Sequence, residues 1–204
     1  MHQRMYQEYE RICAARQIKG SVLEVGAIPN EGSLLCMKSL AGATEKIGID
    51  YFGPFEFRDF KIVPGNANAM DCFPDDRFDV VLCNATLEHD KYFWKTVSEI
   101  KRVTKPGGFI VIGVPGYTRV KGGLPKWLLA HTPIVNRLKF HQYLNVLFTG
   151  TVTFQIHNHP GDYYRFSPQA MKEVILEGLN EIDVRTVMLP PRVIGTAVKP
   201  ASGK

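Results

Sequence analysis

Ser21-Val22-Leu23-Glu24-Val25-Gly26 is a mostly apolar run that ends at a glycine, as a buried strand does before a tight turn that lets the backbone approach a ligand. A second run, Lys46-Ile47-Gly48-Ile49-Asp50, ends at an acid 24 residues after that glycine. Doubly wound nucleotide-binding folds place an acid at about this spacing, where it bonds to ribose hydroxyls. Taken singly, Gly26 fits an ordinary turn and Asp50 fits a helix cap. Together they favour an adenosine-type ligand.

Apolar runs alternate with helical stretches along the rest of the chain, which indicates a parallel sheet joined by helices. Phe78–Asn84 is almost continuously apolar, as expected of a strand buried on both faces. Further strands are expected at residues 60–63, 109–114, 183–189 and 193–198. Helices are expected at residues 5–18, 34–40, 92–103 and from Ser167-Pro168 to about Gly178. We therefore predict one α/β domain over residues 1–204, with a doubly wound, seven-stranded mixed sheet and helices between the first five strands.

The composition is that of an ordinary globular protein. Of its 204 residues 45% are hydrophobic and 22% are charged, which excludes disordered and fibrous classes and suffices for one buried core. The four cysteines lie far apart, which argues against a zinc ribbon or a disulfide framework and fits reduced thiols. We see neither a signal peptide nor an apolar run of about 18 residues, so we expect a cytoplasmic protein without a transmembrane segment.

Four short motifs follow one another in the first half of the chain. They are Val22-Leu23-Glu24-Val25-Gly26, Phe78-Asp79-Val80-Val81, Leu87-Glu88-His89 and Lys105-Pro106-Gly107-Gly108. In this order they resemble the class I S-adenosylmethionine-dependent methyltransferases, in particular the small-molecule branch that is methyltransferase type 11-like. The resemblance covers roughly residues 20–114 and implies a Rossmann-like methyltransferase fold whose sheet ends in an antiparallel hairpin. Nicotinamide oxidoreductases also bind an adenosine group, but the second and fourth motifs are not part of their usual fingerprint.

The same resemblance implies which residues contact S-adenosylmethionine. Gly26 and its loop would lie against the methionine part, and Asp50 would take both ribose hydroxyls. The adenine-contact loop corresponds to residues 65–71 in one of two registers, of which the one with Asn68 is preferred, and Asn84 would border both cofactor and substrate. The predicted cofactor-binding residues are Glu24, Gly26, Ala27, Asp50, Asn68, Ala69, Met70 and Asn84. Glu88 and His89 are expected to be structural and to brace the helix that follows them.

One departure from the family pattern concerns the first loop. The family usually has Gly-x-Gly-x-Gly there, whereas this chain has Gly26-Ala27-Ile28-Pro29-Asn30-Glu31-Gly32. Ile28 and Asn30 stand where glycines are expected, and Pro29 has no N–H to donate. Either the loop is longer and Gly32 supplies the missing freedom, or cofactor binding is weakened or lost.

The positive charge of the chain is concentrated in one segment. Residues 100–161 contain eight Lys and Arg and no Asp or Glu, although the whole chain has a formal charge of only +5. Such a segment attracts anions. We expect a lid or substrate insertion at about residues 116–164. It is interpreted as a lid helix or a homodimer face, or as a pocket for an anionic substrate; no nucleic-acid motif is seen.

The densest polar and aromatic cluster is the stretch from His157 to Pro168. It is similar to a segment of methyltransferases linked to glycan and natural-product pathways. His157 and His159 are candidate general bases, because an imidazole near neutrality can accept a proton from an attacking hydroxyl or amine, and no metal is expected there. Tyr163, Arg165 and Tyr117 are candidate substrate-binding residues. Arg165 is alternatively a structural partner of Asp162 or Glu173.

These observations predict a methyltransferase that uses S-adenosylmethionine. Its substrate would be an oxygen or nitrogen nucleophile of a small metabolite, with anionic, sugar-like and natural-product-like compounds as the indicated classes. The partners expected are that small molecule and, at most, a second copy of the chain. The alternative is a degenerate methyltransferase fold that serves as a binding or scaffold protein without catalysis.

Overall fold

The computed structural model describes residues 3–119, 151–153, 161–187 and 191–201. Within these ranges the strands form an eight-stranded sheet, in the order β3-β4-β2-β1-β5-β6-β10-β9, and a two-stranded β7-β8 ladder. The strands are β1 Gly20–Val25, β2 Ala43–Asp50, β3 Phe55–Phe57, β4 Phe60–Pro64, β5 Phe78–Asn84, β6 Thr104–Pro115, β7 Tyr117–Arg119, β8 Thr151–Thr153, β9 Asn180–Val187 and β10 Arg192–Val198. The predicted α/β class and mixed sheet are confirmed.

The central strands of the sheet run parallel to one another, whereas β10 runs antiparallel to its neighbours. β1 pairs in parallel with β2 on one side and with β5 on the other, so the strand order reverses at β1 and β5. β5 pairs in parallel with β6, and β10 is antiparallel to both β6 and β9. In such sheets, ligands bind at the carboxyl ends of the strands beside the reversal point. The candidate site is therefore the edge where β1, β2, β5 and β6 end.

Each face of the sheet has its own apolar core. The helix α1 (Gln3–Arg16) covers one face and buries Tyr9 completely. The helix α2 (Phe93–Val103) covers the other face with Val97 and Ile100. It is joined there by α3 (Pro168–Ala170), a single turn capped by the Ser167 side chain, which continues as the π-helical turn Met171–Ile175. No helix in the described ranges is long and apolar enough to cross a membrane.

The structure corrects three details of the predicted fold. The sheet has an eighth strand, β3, because the chain turns back after residue 54 and pairs antiparallel with β4. The helix expected at residues 34–40 is two 3₁₀ turns, Leu34–Cys36 and Lys38–Leu40, because the extended backbone of Met37 (ψ 137°) separates them. In the described ranges, α2 is the only α-helix between the first five predicted strands.

Candidate functional site at the carboxyl edge of the sheet

Gly26 forms the turn at the end of β1. Its φ is +79°, in the left-handed region that favours glycine, and a Cβ atom there would lie 2.2 Å from the hydroxyl oxygen of Thr86. The backbone N–H groups of Gly26 and Ala27 both donate to the Ile49 carbonyl of β2, at 2.9 and 3.3 Å. The turn therefore presents few free amide donors to a ligand.

Glu24 lies under this turn rather than facing the edge. Its buried carboxyl accepts hydrogen bonds from the Ser33 hydroxyl and from the N–H groups of Leu34 (3.1 Å) and Leu35 (3.4 Å). Burial raises the pKa of Glu24 to about 7, against the lowering effect of these bonds. The Glu24 side chain thus caps the first 3₁₀ turn and anchors the loop. Its contact with the cofactor stays a prediction.

The loop between Gly26 and Ser33 satisfies much of its own hydrogen bonding. The Asn30 side chain accepts from the Gly32 N–H at 2.8 Å, and the Asn30 carbonyl accepts from the Ser33 N–H at 3.0 Å. The Asn30 N–H itself donates to the Ile28 carbonyl at 2.9 Å. An Asx turn at Asn30 thus closes this loop, which has no repeated glycines.

Asp50 ends β2 with a half-buried side chain. One carboxyl oxygen accepts from the Phe52 N–H at 3.1 Å, and the other has no partner in the described part of the chain. Tyr51 and Phe52 follow it and are 70% and 74% exposed, which is unusual for large aromatic side chains. A free carboxylate oxygen next to exposed aromatic rings is suited to hold a ribose with its attached base.

In the loop predicted to contact adenine, two side chains make contacts within the protein. The Asn68 side-chain amide donates to Asp90 at 2.6 Å and to Thr96 at 2.8 Å, so it is committed to the start of α2. The Met70 side chain is completely buried in the core, and its N–H donates to Glu99 at 2.6 Å. Ala69 is exposed, and its N–H donates to the Asn66 carbonyl. The side chains of Asn68 and Met70 therefore hold the loop in place, and Ala69 is the accessible member of the three.

Asn84 lies at the end of β5, as predicted. Its Oδ1 is buried and has no hydrogen-bond partner among the residues that the structure describes. A Cβ atom on Gly113 of β6 would lie 2.8 Å from Asn84 Oδ1 and 2.6 Å from the Tyr9 hydroxyl oxygen. The Tyr9 hydroxyl donates to the Cys83 carbonyl at 2.6 Å, so α1 is fixed to this edge through a buried hydrogen bond. Sequence reasoning assigned Tyr9 to the buried face of a helix, and no local motif signals its second role.

Glu88 follows four residues later and is completely buried. Within the described ranges neither of its carboxyl oxygens has a hydrogen-bond partner, and burial raises the pKa of Glu88 to about 7. His89 packs beside it, with 3.9 Å between His89 Nε2 and Glu88 Oε1, and the His89 ring contacts the Gly161 carbonyl through Nδ1. The bracing role predicted for His89 is directed toward the segment at residue 161 rather than toward α2.

The candidate substrate residues occupy a segment that crosses this edge. Arg165 makes a bidentate pair with Asp162, whose side chain is only 1% exposed; the bond from Nη2 is 2.5 Å long. Its guanidinium is thus committed to Asp162, the structural alternative that the sequence left open. Tyr163 is 56% exposed, and its N–H donates to the Glu88 carbonyl. Tyr117 is 38% exposed and is the first residue of β7. His157 and His159 lie outside the described residues.

The comparisons with known proteins agree with this topology. Residues 35–112 match the family model of the methyltransferase domain. Residues 35–112 are thus identified as part of a methyltransferase domain. No curated protein sequence matches this chain, so the other likenesses come from solved structures.

Three solved structures illustrate those likenesses. The 1,6-didemethyltoxoflavin-N1-methyltransferase of Burkholderia thailandensis, solved with 1,6-didemethyltoxoflavin and S-adenosylhomocysteine, is 16% identical, with a TM-score of 0.62 over 96% of this chain and 78% of that one. A SAM-dependent methyltransferase of Archaeoglobus fulgidus is 16% identical, with a TM-score of 0.60 over 96% and 93%. The N-methyltransferase NodS of Bradyrhizobium japonicum WM9 is 10% identical, with a TM-score of 0.60 over 97% and 95%. At these identities the likeness shows the fold alone.

S-adenosylmethionine is the cofactor of this methyltransferase class, and its chemistry fits the atoms at the edge. Asp50 offers an uncommitted carboxylate oxygen for ribose hydroxyls. The orphaned acceptor Asn84 Oδ1 suits an ammonium group, since buried polar atoms of native proteins almost always have a partner. The turn at Gly26 gives up its amide donors to Ile49, so the methionine carboxylate finds fewer donors there than a glycine-rich loop would offer.

Proposed function

We propose that this protein transfers a methyl group from S-adenosylmethionine to an oxygen or nitrogen nucleophile of a small molecule. The observation that carries the proposal is the set of uncommitted acceptors at the reversal point of the sheet, Asp50 at the end of β2 and Asn84 at the end of β5. They lie where doubly wound sheets bind their ligands. The basic segment 100–161, which contains β6 and continues beyond it, indicates anionic metabolites. The likeness of the stretch from His157 to Pro168 to methyltransferases of glycan and natural-product pathways indicates sugar-like and natural-product-like ones.

In the proposed reaction, the main task of the protein is orientation. S-adenosylmethionine supplies an activated methyl group on a sulfonium. The protein aligns the nucleophile with the methyl carbon and the sulfur, for which effective molarities of about 10⁵–10⁸ M are known. A general base would add roughly 10²–10⁴-fold, and His157 and His159 are the candidates that the sequence offers. Asp50 would hold the ribose and Asn84 the amino group of the cofactor.

Isothermal titration with S-adenosylhomocysteine tests the proposal. We expect the wild-type protein to bind it, and Asp50→Asn to bind roughly 10–100-fold more weakly, because charge-assisted hydrogen bonds to ribose are lost while the Asn amide oxygen still accepts from Phe52. Glu177→Gln is the control, since this carboxylate is exposed and lies after the π-helical turn. Absence of binding heat from the wild-type protein would overturn the proposal.

The second candidate, a binding or scaffold protein without catalysis, is supported by the loop after β1. The N–H groups of Gly26 and Ala27 both donate to the Ile49 carbonyl, and Pro29 has no N–H to donate. If this alternative holds, Asp50→Ala leaves the biological activity of the protein intact. If the methyltransferase proposal holds, the same variant abolishes that activity, and the wild-type protein purifies with S-adenosylhomocysteine, which a mass spectrum detects.

A further inference from the structure

The buried oxygen atoms without a partner are concentrated at one end of one strand. In the described ranges, the buried side-chain oxygens that accept no hydrogen bond are Oδ1 of Asn84 and both carboxyl oxygens of Glu88. Buried polar atoms of native proteins are rarely left unpaired, because an unmet hydrogen bond costs about 1–3 kcal/mol. Three such atoms within five residues of chain indicate that their partner is a ligand.

Hydrogen bonds to several elements fix the backbone around Glu88, so the loop that carries it has a defined conformation. The Ala85 N–H donates to the Gly113 carbonyl of β6 at 2.9 Å, and the Thr86 hydroxyl donates to the Val25 carbonyl of β1 at 3.2 Å. The Glu88 carbonyl accepts from the Tyr163 N–H at 2.8 Å. The loop from β5 is thereby attached to β1, to β6 and to the segment that crosses the edge.

The charges that face Glu88 come from four different elements. Arg192, at the start of β10 beside Pro115 of β6, interacts electrostatically with Glu88, and burial lowers the pKa of this guanidinium. Arg165 also acts on Glu88, but its charge is compensated by the bidentate bond to Asp162. His89 is 3.9 Å away, and Tyr9 and Cys83 complete the surroundings. With Glu88 ionised, the two carboxylates and two guanidinium groups of this cluster sum to zero.

We propose that Glu88 binds the amino group of the methyl acceptor and accepts a proton from it, so that the substrate is a primary or secondary amine. This inference rests on the proposed function and narrows it from oxygen or nitrogen to nitrogen. Asn84 Oδ1 is assigned to the amino group of the cofactor, which leaves the two Glu88 oxygens for the substrate. Both are acceptors, and an ammonium group has up to three donors and no acceptor, whereas a hydroxyl has one donor.

The proton transfer balances in two steps. The bound ammonium first gives one proton to the Glu88 carboxylate, which leaves a neutral amine with a free electron pair and a neutral carboxylic acid. That pair then forms the bond to the methyl carbon while the bond from this carbon to sulfur breaks, and its electrons stay on sulfur as the sulfonium becomes a thioether. The product is the methylated ammonium, and Glu88 later releases its proton to solvent. Its pKa of about 7 lets it alternate between both forms near neutrality.

The first test uses simple probes on the wild-type protein saturated with S-adenosylhomocysteine. Ligand-observed NMR at pH 7.5 compares n-butylammonium, n-butanol and n-butyrate, which share one alkyl chain. We expect n-butylammonium to bind most tightly, and Glu88→Gln to weaken it at least tenfold while S-adenosylhomocysteine binds as before. The control Glu177→Gln is expected to match the wild-type protein. Equal binding of n-butylammonium to Glu88→Gln, tighter binding of n-butyrate, or no binding of the amine would overturn the inference.

A second measurement avoids dependence on a folded variant. Carbon-13 NMR of the glutamate carboxyl groups of the wild-type protein should show two groups that titrate near pH 7, Glu24 and Glu88. We expect n-butylammonium to lower the pKa of one of them and to leave the other unchanged, since Glu24 is bonded within its own loop. A purely structural Glu88 would leave both unchanged, which would overturn the inference. If the wild-type protein does not bind S-adenosylhomocysteine at all, the proposed function fails first.

Discussion

The turn at Gly26 and the hydroxyl of Thr86 occupy adjoining space, since a Cβ atom on Gly26 would lie 2.2 Å from Thr86 Oγ1. The same hydroxyl donates to the Val25 carbonyl at 3.2 Å, so it joins the end of β1 to the loop after β5. This hydrogen bond lies at the point where the strand order of the sheet reverses. Both the shape of the candidate site and its stability therefore depend on the absence of a side chain at residue 26.

Gly26→Ala should be more destabilising than an ordinary glycine substitution. The positive φ alone costs roughly 1–2 kcal/mol for a residue with a Cβ atom, and the overlap with Thr86 adds about 1–3 kcal/mol. Gly107→Ala is a matched control, because Gly107 has a similar φ of +76° and nothing within 4 Å of its Cβ position. Urea unfolding compares the two variants, and S-adenosylhomocysteine titration shows whether the turn still supports binding.

Thr86→Ala, combined with Gly26→Ala, separates the cost of the positive φ from the cost of the overlap with Thr86. In the double variant Gly26→Ala/Thr86→Ala we expect part of the lost free energy of unfolding to return, because the overlapping hydroxyl and methyl are gone. Equal destabilisation by Gly26→Ala and Gly107→Ala would show instead that Thr86 yields without cost and that only the backbone conformation matters.

Tyr9→Phe tests the attachment of α1 to the candidate site. Tyr9 is completely buried, and removal of its hydroxyl leaves the Cys83 carbonyl without that 2.6 Å partner. We expect the free energy of unfolding to fall by about 1–3 kcal/mol, as for other buried acceptors that lose their donor. Tyr6→Phe, on the half-buried side of the same helix, is the control and should change stability by less than about 0.5 kcal/mol. Equal effects of the two variants would contradict the attachment.

Much of the fold could be predicted because its signals are local. The apolar run of β5 and the glycine after β1 depend on neighbouring residues, and the structure has the strand at Phe78–Asn84 as expected. The eighth strand could not be predicted in this way, since Phe55–Phe57 is a strand only through its antiparallel partner β4. The helix expected at residues 34–40 is wrong because the extended backbone of Met37 divides this stretch into two 3₁₀ turns, of which the first is bonded to the distant Glu24 carboxyl.

The candidate site was predicted at the level of strands rather than of side chains. Asp50 and Asn84 were found because they directly follow apolar runs, and both lie at the carboxyl edge with uncommitted oxygens. Asn68 and Met70 were placed by resemblance, but their side chains are committed to α2 and to the core. A loop motif shows which residues are near the ligand, whereas the direction of each side chain depends on contacts with distant elements.

Arg165→Ala tests whether this guanidinium is structural. The variant leaves the buried Asp162 carboxylate without its bidentate partner, and breaking a buried pair costs roughly 3–5 kcal/mol. Arg185→Ala is the control, because its pair with Asp183 is about half exposed and such pairs contribute less than about 1 kcal/mol. Urea unfolding measures both. If Arg165→Ala were as stable as the control, Arg165 would be available to a substrate anion, as the sequence first suggested.

The stability of the protein should fall as the pH rises from about 5 to about 8. Burial raises the pKa of both Glu24 and Glu88 to about 7, whereas an unfolded glutamate titrates near 4.5. The folded chain therefore holds more protons than the unfolded chain in this interval, and stability declines with pH until both groups are ionised. The loss amounts to roughly 3 kcal/mol for each group. Urea unfolding at several pH values measures the slope, and Glu88→Gln should remove about half of it, whereas the exposed control Glu177→Gln should leave it unchanged. A flat profile for the wild-type protein over this range would contradict the prediction, because two buried carboxyl groups with raised pKa values cannot titrate without a stability change.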